Sequence, residues 1–328
     1  MASALRVEIT RGATIETDHP VLCAVADGNG RILVSYGDID RPYPLRSSMK
    51  ALQAMPLVAS GAADALDVSD AELAIACGSH NGEPRHVALV TNWLARLGLS
   101  GDDLRCGRAR PWPEAWDDLD PSFATEATRP KHNCSGKHTG FLTLARHLDA
   151  DPADYLDPAA PVQQVVLASL ADHFGVARVD LELAVDGCGA PVACVSARQL
   201  ALGLTTLLGD EPEGARILRA IGAHPWAIAG TGRFDTRVTT ALAGNGFTKI
   251  GADGCRVAVL PDLGLTIAMK ALSGDRRAVD AAMFRVLTTY DALDSSDLPD
   301  LAEPEILSSA GAVVGRVHVR GLDQSEAS

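Results

Sequence analysis

Strand patterns at the two ends of the chain, with helical patterns filling the middle, constrain the fold most. Residues 5–10, 21–26 and 31–36 read as strands, the last two joined by the turn Asp27-Gly28-Asn29-Gly30. Towards the other end, residues 256–260 and 265–270 form a hairpin around Pro261-Asp262-Leu263-Gly264, and 313–319 form a last strand. Between them helix signals repeat at 47–60, at Ser69 to Gly78 with a capping box from Ser69 and Glu72, and at 84–97, 137–148, 161–174, 197–208, 213–221 and 234–242. A further helix is expected over 275–290. A short strand cannot bury its apolar face alone. The terminal strands are therefore expected to share one antiparallel sheet in an α+β fold, beside a large central helical region spanning about 47–245.

The 328 residues are 47% hydrophobic, enough for a packed core, and no repeat or clean linker divides them. Residues 1–320 read as a single unit and 321–328 as a loose tail. The formal charge of −13, with basic residues scattered along the chain, excludes nucleic acid as a partner. No run approaches the roughly 18 apolar residues of a membrane span, and the first residues lack a basic-then-apolar signal, so a cytoplasmic protein with no membrane partner is expected. Seven cysteines, an odd and irregularly spaced set, fit reduced thiols and metal ligands better than disulfides.

Only five of the 29 basic residues are Lys: Lys50, Lys131, Lys137, Lys249 and Lys270. Arg stays protonated in a protein whereas a buried Lys can lose its proton, so the lysines kept in an arginine-rich chain invite a role for a free amine. Ser47-Ser48-Met49-Lys50 lies at an expected helix start, where residues three apart share a face. A neutral Lys50 would there activate the Ser47 hydroxyl, and a plain helix cap is the alternative. Cys77-Gly78-Ser79-His80-Asn81-Gly82 sets a second serine just past a helix, as a reactive side chain or as an ordinary terminator. Lys131-His132-Asn133-Cys134-Ser135-Gly136-Lys137-His138 and Asp186-Gly187-Cys188-Gly189-Ala190-Pro191 each place a cysteine at an element boundary. Thiolates of Cys134 and Cys188 would neutralise a zinc ion, with a nitrogen from His138 or, less usually, Lys137. A nucleophile pair of Cys134 with His138, or two plain buried cysteines, are the alternatives. Lys270 closes the apolar run 265–270, where a lysine commonly just reaches solvent. Residues 106–134 are rich in Pro, Asp and Trp and show no period.

Arg46-Ser47-Ser48-Met49-Lys50 with Leu52-Gln53, then Gly78-Ser79-His80-Asn81-Gly82-Glu83, Asn133-Cys134-Ser135-Gly136-Lys137-His138, Asp186-Gly187-Cys188-Gly189, Ala229-Gly230-Thr231-Gly232-Arg233 and Lys249-Ile250-Gly251-Ala252-Asp253-Gly254 follow one another in order. In this ordered set the chain resembles the rhizobial-type (thermolabile, inducible) bacterial L-asparaginase family, from the first strand to about Arg277. The resemblance implies a serine β-lactamase/glutaminase-like fold in one catalytic unit, a homodimer, and hydrolysis of L-asparagine to L-aspartate and ammonia through a serine acyl-enzyme activated by lysine. It implies Ser47 with Lys50 as one serine-lysine pair and Ser79 with Lys270 as a second. It also implies one zinc ion per subunit, dispensable for turnover or not, on Cys134, Lys137 and Cys188. Arg46, His80, Asp186 and His138 are expected around the substrate, Asp186 also steadying the metal ligands. Asp18-His19-Pro20, Gly251-Ala252-Asp253-Gly254 and Ala271-Leu272 depart from the family pattern, which bears on substrate preference. Thr248-Lys249-Ile250-Gly251 is only loosely like the Lys-Thr-Gly strand of serine β-lactamases, because its hydroxyl precedes the lysine. Lys249 and Lys131 are left without a role. Two further readings stay open: another amide hydrolase on the same scaffold, such as a glutaminase or β-lactam hydrolase, and a non-catalytic zinc or redox-sensing protein.

Overall fold

The computed structural model describes residues 3–112 and 120–322. Its strands are β1 (Leu5–Arg11), β2 (Thr14–Asp27), β3 (Ile32–Tyr36), β4 (Pro42–Pro44), β5 (Leu183–Val185), β6 (Pro191–Ser196), β7 (Phe247–Gly251), β8 (Cys255–Leu260), β9 (Leu265–Ala271), β10 (Glu305–Leu307) and β11 (Val313–Arg320). The longer helices are α1 (Lys50–Ala59), α2 (Asp70–Ala76), α3 (Pro84–Arg96), α4 (Ser135–His147), α5 (Pro161–His173), α6 (Ala197–Leu204), α7 (Pro212–Ala223), α8 (Phe234–Ala241) and α9 (Arg276–Thr289). The expected capping box of Ser69 with Glu72 forms on α2, and Ser196 with Gln199 makes another on α6. Among the described residues no helix is long and apolar enough to cross a membrane.

The terminal strands do share one antiparallel sheet, in the order β10-β11-β1-β2-β9-β8-β7, with β3 also paired to β2. A small second sheet, β4-β6-β5, lies among the helices. β2 begins at Thr14, well before the expected residue 21. Its first six residues are mostly exposed and, apart from Ile15, polar, without the apolar alternation that marks a strand. They are extended because the Gly12 turn, in a left-handed conformation, folds them back onto β1. β7 also escapes the apolar signal, since Thr248 and Lys249 sit at its centre.

Alternation splits the core in two. Ala24, Val257, Val259 and Ala268 face the helical layer, while Val25, Ala258, Ile267 and Met269 face α9 and α8. Lys249 shares a row with Val257 and Ala268, so β7 turns its lysine towards the helical layer rather than towards α9. The expected loose tail falls largely on residues 323–328, outside the described ones. The aperiodic stretch after Cys106 holds a short helix, Pro121–Thr125, and a bridge between Ala109 and Thr128.

Pairing of β1 with β11 closes the sheet, and it requires Gly315, where a Cβ would collide with the Thr10 carbonyl. Gly315→Ala is expected to destabilise the protein by about 1–3 kcal/mol in urea unfolding. An unchanged midpoint would mean that the two ends of the chain do not meet this closely.

Candidate active site

Ser79 lies just past the end of α2, on a segment pinned on both sides. Ser79 N donates to the Ile228 carbonyl (2.8 Å), His80 N to Asn133 (3.2 Å) and Asn81 N to Ala229 (2.7 Å). The preceding Gly78 is so close to the Ala227 carbonyl that a Cβ would collide with it. Two lysines converge on the Ser79 hydroxyl. Lys50 Nζ, from the first residue of α1, is 3.0 Å from Ser79 Oγ and also contacts the Gly78 carbonyl and, at 3.3 Å, Cys134 Sγ. Lys249 Nζ, from the middle of β7, is 2.8 Å from the same oxygen and 2.6 Å from the Ile250 carbonyl. Burial pushes Lys249 well below the ordinary lysine range; Asp235 opposes this, while Lys50 and Arg233 reinforce it. A neutral Lys249 can accept the proton of the Ser79 hydroxyl.

The sequence-level pairings are thus redistributed. Among the described residues Lys50 makes no hydrogen bond to Ser47; its amine turns inward to Ser79. Ser47 occupies the 3₁₀ turn Arg46–Met49 ahead of α1, and Arg46 there adopts a left-handed backbone (φ 54°). The expected pairing of Ser79 with Lys270 is corrected to Ser79 with Lys249. Lys270 lies on β9, opposite Cys255 and Gly251, and β8 separates it from β7. Two strand spacings of about 4.8 Å keep it away. Its amine instead holds the Asp253 carbonyl, 5.6 Å from the centre of the Tyr43 ring.

Ser47 and Ser79 line one cavity of about 170 Å³, walled by Trp112, Asn133, Arg233, Arg276 and the residues 250–254. Gly251 lets β7 approach the Ser47 turn, since a Cβ there would lie 2.8 Å from the Leu45 carbonyl and 3.0 Å from Ser48 N. A larger groove of about 630 Å³, between α9 and β11, shares no lining residue with this cavity and holds no comparable pair of serine and lysine.

Beside the two lysines, Cys134 at the start of α4 meets Asp186 and Cys188 from the β5–β6 connection. Their ligand atoms all lie within 4.8 Å of one another. Lys137 Nζ is 3.2 Å from Cys188 Sγ, and Asp186 Oδ2 is 3.6 Å from it. A hydrogen bond from Cys188 holds Cys134 well below the usual thiol range against burial, with help from Lys50 and Lys137. Sharing that proton, together with burial, pushes Cys188 up. Burial disfavours the Lys137 ammonium, but Cys188, Cys134 and Asp186 outweigh it and hold its pKa above the ordinary value. Soft sulfur donors at this spacing suit a zinc-type ion, whose bonds to sulfur are about 2.3 Å. Arg46 ties this cluster to the cavity wall, donating to Asp186 Oδ1 at 2.7 Å and pairing with Asp253.

Two expected substrate residues lie elsewhere. His80 is fully buried, accepts from Gly82 N at Nδ1 (3.1 Å) and meets Ser135 Oγ at Nε2 (2.9 Å). His138 Nδ1 meets the Tyr155 hydroxyl at 2.6 Å. Burial pushes both well below the ordinary histidine range, so both are neutral framework groups, and neither lines the serine cavity. Lys131, without a role at the sequence level, is buried. It donates to the carbonyls of Phe123 (2.7 Å) and Glu126 (2.8 Å) and covers the Phe123 ring, and so fastens the aperiodic loop.

With this geometry in hand, comparison adds a decisive match. The family described as L-asparaginase II matches residues 7–319. The chain belongs to that family. No curated protein matches it. Among solved structures it is similar to a β-lactamase from Mycobacterium bovis (15% identity, 84% of this chain and 95% of that one, TM-score 0.43). A class C β-lactamase mutant (12%, 82% and 92%, 0.40) and EstCE1, a hydrolase with promiscuous acyltransferase activity (11%, 78% and 90%, 0.39), are also similar. Likenesses this distant carry no argument about the chemistry.

Membership of the L-asparaginase II family supports an L-asparaginase-type amidohydrolase. Lys249, left without a role by the sequence, is the one of the two unplaced lysines that reaches Ser79. Its signal was present in Thr248-Lys249-Ile250-Gly251, a lysine amid small residues near the C-terminal hairpin. Met matches lysine in length but offers no amine. Lys249→Met is expected to lower kcat/KM for ammonia release by about 10²–10⁴-fold with little change in melting temperature. Retained activity would remove Lys249 from the proton path.

Proposed function

We propose that this protein is an L-asparaginase in which Ser47 is the nucleophile and Lys50, Ser79 and Lys249 move the proton. The observation that carries the reading is the Ser79 hydroxyl, held at 3.0 and 2.8 Å by two lysine amines on the cavity that Ser47 also lines. Ser79, engaged by both amines, suits a relay, whereas the Ser47 hydroxyl makes no hydrogen bond among the described residues and lines the cavity. Ser47 Oγ attacks the side-chain amide carbon, and its proton passes through the relay to the amide nitrogen. The C–N bond breaks, ammonia leaves, and an aspartyl ester remains on Ser47. Water then adds to the ester, giving its proton to the relay, and the C–O bond breaks to release L-aspartate and restore Ser47.

Cys134, Cys188 and Lys137, with Asp186 beside them, would hold a zinc ion. When bound, such an ion supplies a Lewis-acid point that fixes a polar group of the substrate. Lys137 would have to give up its proton to serve as a ligand, and would otherwise stand as a counter-ion to the thiolates. Arg46 keeps Asp186 and Asp253 in register whichever form is present. A homodimer completes the proposal, on the strength of the sequence resemblance.

Ammonia release from L-asparagine should exceed that from L-glutamine and from β-lactam opening; no release from L-asparagine would overturn the reading. Ser47→Ala should lower kcat by about a thousandfold or more. Acid-quenched turnover followed by peptide mapping should find the aspartyl adduct on Ser47, and an adduct on Ser79 would exchange the two serines. Cys134→Ser and Cys188→Ser should each cut bound zinc from about one ion per chain to near none by elemental analysis. Unchanged zinc content would place the ion elsewhere.

A further inference from the structure

L-Asparagine offers an enzyme two charged handles besides the reacting amide, an α-carboxylate and an α-ammonium. Of the residues first expected around the substrate, His80, His138 and Arg46 do not line the cavity, and Arg46 bridges Asp186 and Asp253 behind its wall. Among the described lining residues the charged side chains are Arg233, Arg276 and Asp253. Resting on the amide-hydrolase reading, we infer that Arg233 and Arg276 hold the α-carboxylate of an amino-acid substrate and Asp253 its α-ammonium, so that the cavity selects amides carrying both groups.

Arg233 is built in before substrate arrives. It is 8% exposed, and its Nη1 donates to Asn81 Oδ1 at 2.9 Å. Its guanidinium carbon lies 4.5 Å from the centre of the Trp112 ring. The Asn81 amide is oriented in turn, because its nitrogen donates to Glu83 Oε1 (3.1 Å) and to the Thr231 carbonyl (3.0 Å), which leaves its oxygen for Arg233. A planar guanidinium fixed in this way suits a carboxylate, which it can take through two parallel N–H bonds. Arg276 stands at the exposed mouth, on the first residue of α9. Asp253 is held on one side by Arg46, and Lys270 fixes its carbonyl. The cavity therefore offers positive and negative groups for the two ends of a zwitterion, with the serines between its walls.

Two truncated amides separate the handles: β-alaninamide lacks the carboxylate of asparagine, and succinamate lacks its ammonium. The wild-type protein should prefer L-asparagine to either by about 30-fold or more in kcat/KM. Arg233→Gln and Arg276→Gln should lose about 30-fold or more on L-asparagine, chiefly in KM, and less than about 3-fold on β-alaninamide. Asp253→Asn should lose on L-asparagine and keep its rate on succinamate. Arg276 is exposed, so its variant reads the clamp even where loss of Arg233 disturbs folding. Equal losses on all three amides would overturn the clamp. Calorimetric binding of L-aspartate separates this inference from the activity. Binding that weakens in Arg276→Gln supports the clamp even in a protein that releases no ammonia from L-asparagine. Hydrolysis of L-asparagine with no discrimination against β-alaninamide keeps the activity and refutes the clamp.

Discussion

Two lysine amines share one serine hydroxyl in a buried site, and the rest of the structure is arranged around that contact. Two ammonium groups within hydrogen-bond reach of one oxygen and away from water repel strongly, so at least one amine must be neutral for the arrangement to persist. Lys249, 1% exposed and pushed by burial well below the ordinary lysine range, is the amine that gives up its charge. Asp235 limits the effect. Its carboxylate is already committed, accepting from Ile250 N at 2.9 Å, from Thr248 Oγ1 at 3.2 Å and from the Arg256 guanidinium. Arg256 pairs in addition with Asp280 on α9. A carboxylate spread over so many donors steadies β7 while leaving the Lys249 amine to Ser79.

The two amines reach Ser79 from opposite layers. Lys50 comes from the helical region and Lys249 from the edge strand of the sheet, and Ser79 lies on the segment after α2 between them. The arrangement depends on close backbone approaches at Gly78 and Gly251, where any side chain would force the layers apart. Behind Lys50 stand the cysteines, and through Arg46 the cysteine cluster communicates with the Asp253 loop on the cavity wall. Proton relay, metal donors and substrate wall thus share side chains, and a change at one should be felt at the others.

Much of this was legible in the sequence. The terminal strands, the capped helices and the cysteine pair follow from alternation, caps and motif order, because each is a local signal. Contacts across the sheet are not local. The choice between Lys249 and Lys270 as the partner of Ser79 turns on which strand lies at the edge beside the Ser47 turn, and both lysines sit in rows facing the same layer. Likewise the interval of three residues from Ser47 to Lys50 fixes a shared face but not the direction of a long flexible amine, which found a better-buried oxygen at Ser79. His80 and His138 carried the motif signal of ligand-binding residues, yet their ring nitrogens serve Gly82, Ser135 and Tyr155. A motif marks residues that must stay together without saying which of them face the cavity.

The central claim is that one of the two amines on Ser79 is neutral, and that it belongs to Lys249. With five lysines in the chain, selective labelling of lysine side chains gives few NMR signals, each assignable by Lys→Arg replacement. A pH titration should show the Lys249 amine losing its proton well below the usual lysine value near 10.4. An ammonium signal from Lys249 that persists to about pH 10 would contradict the account at its foundation.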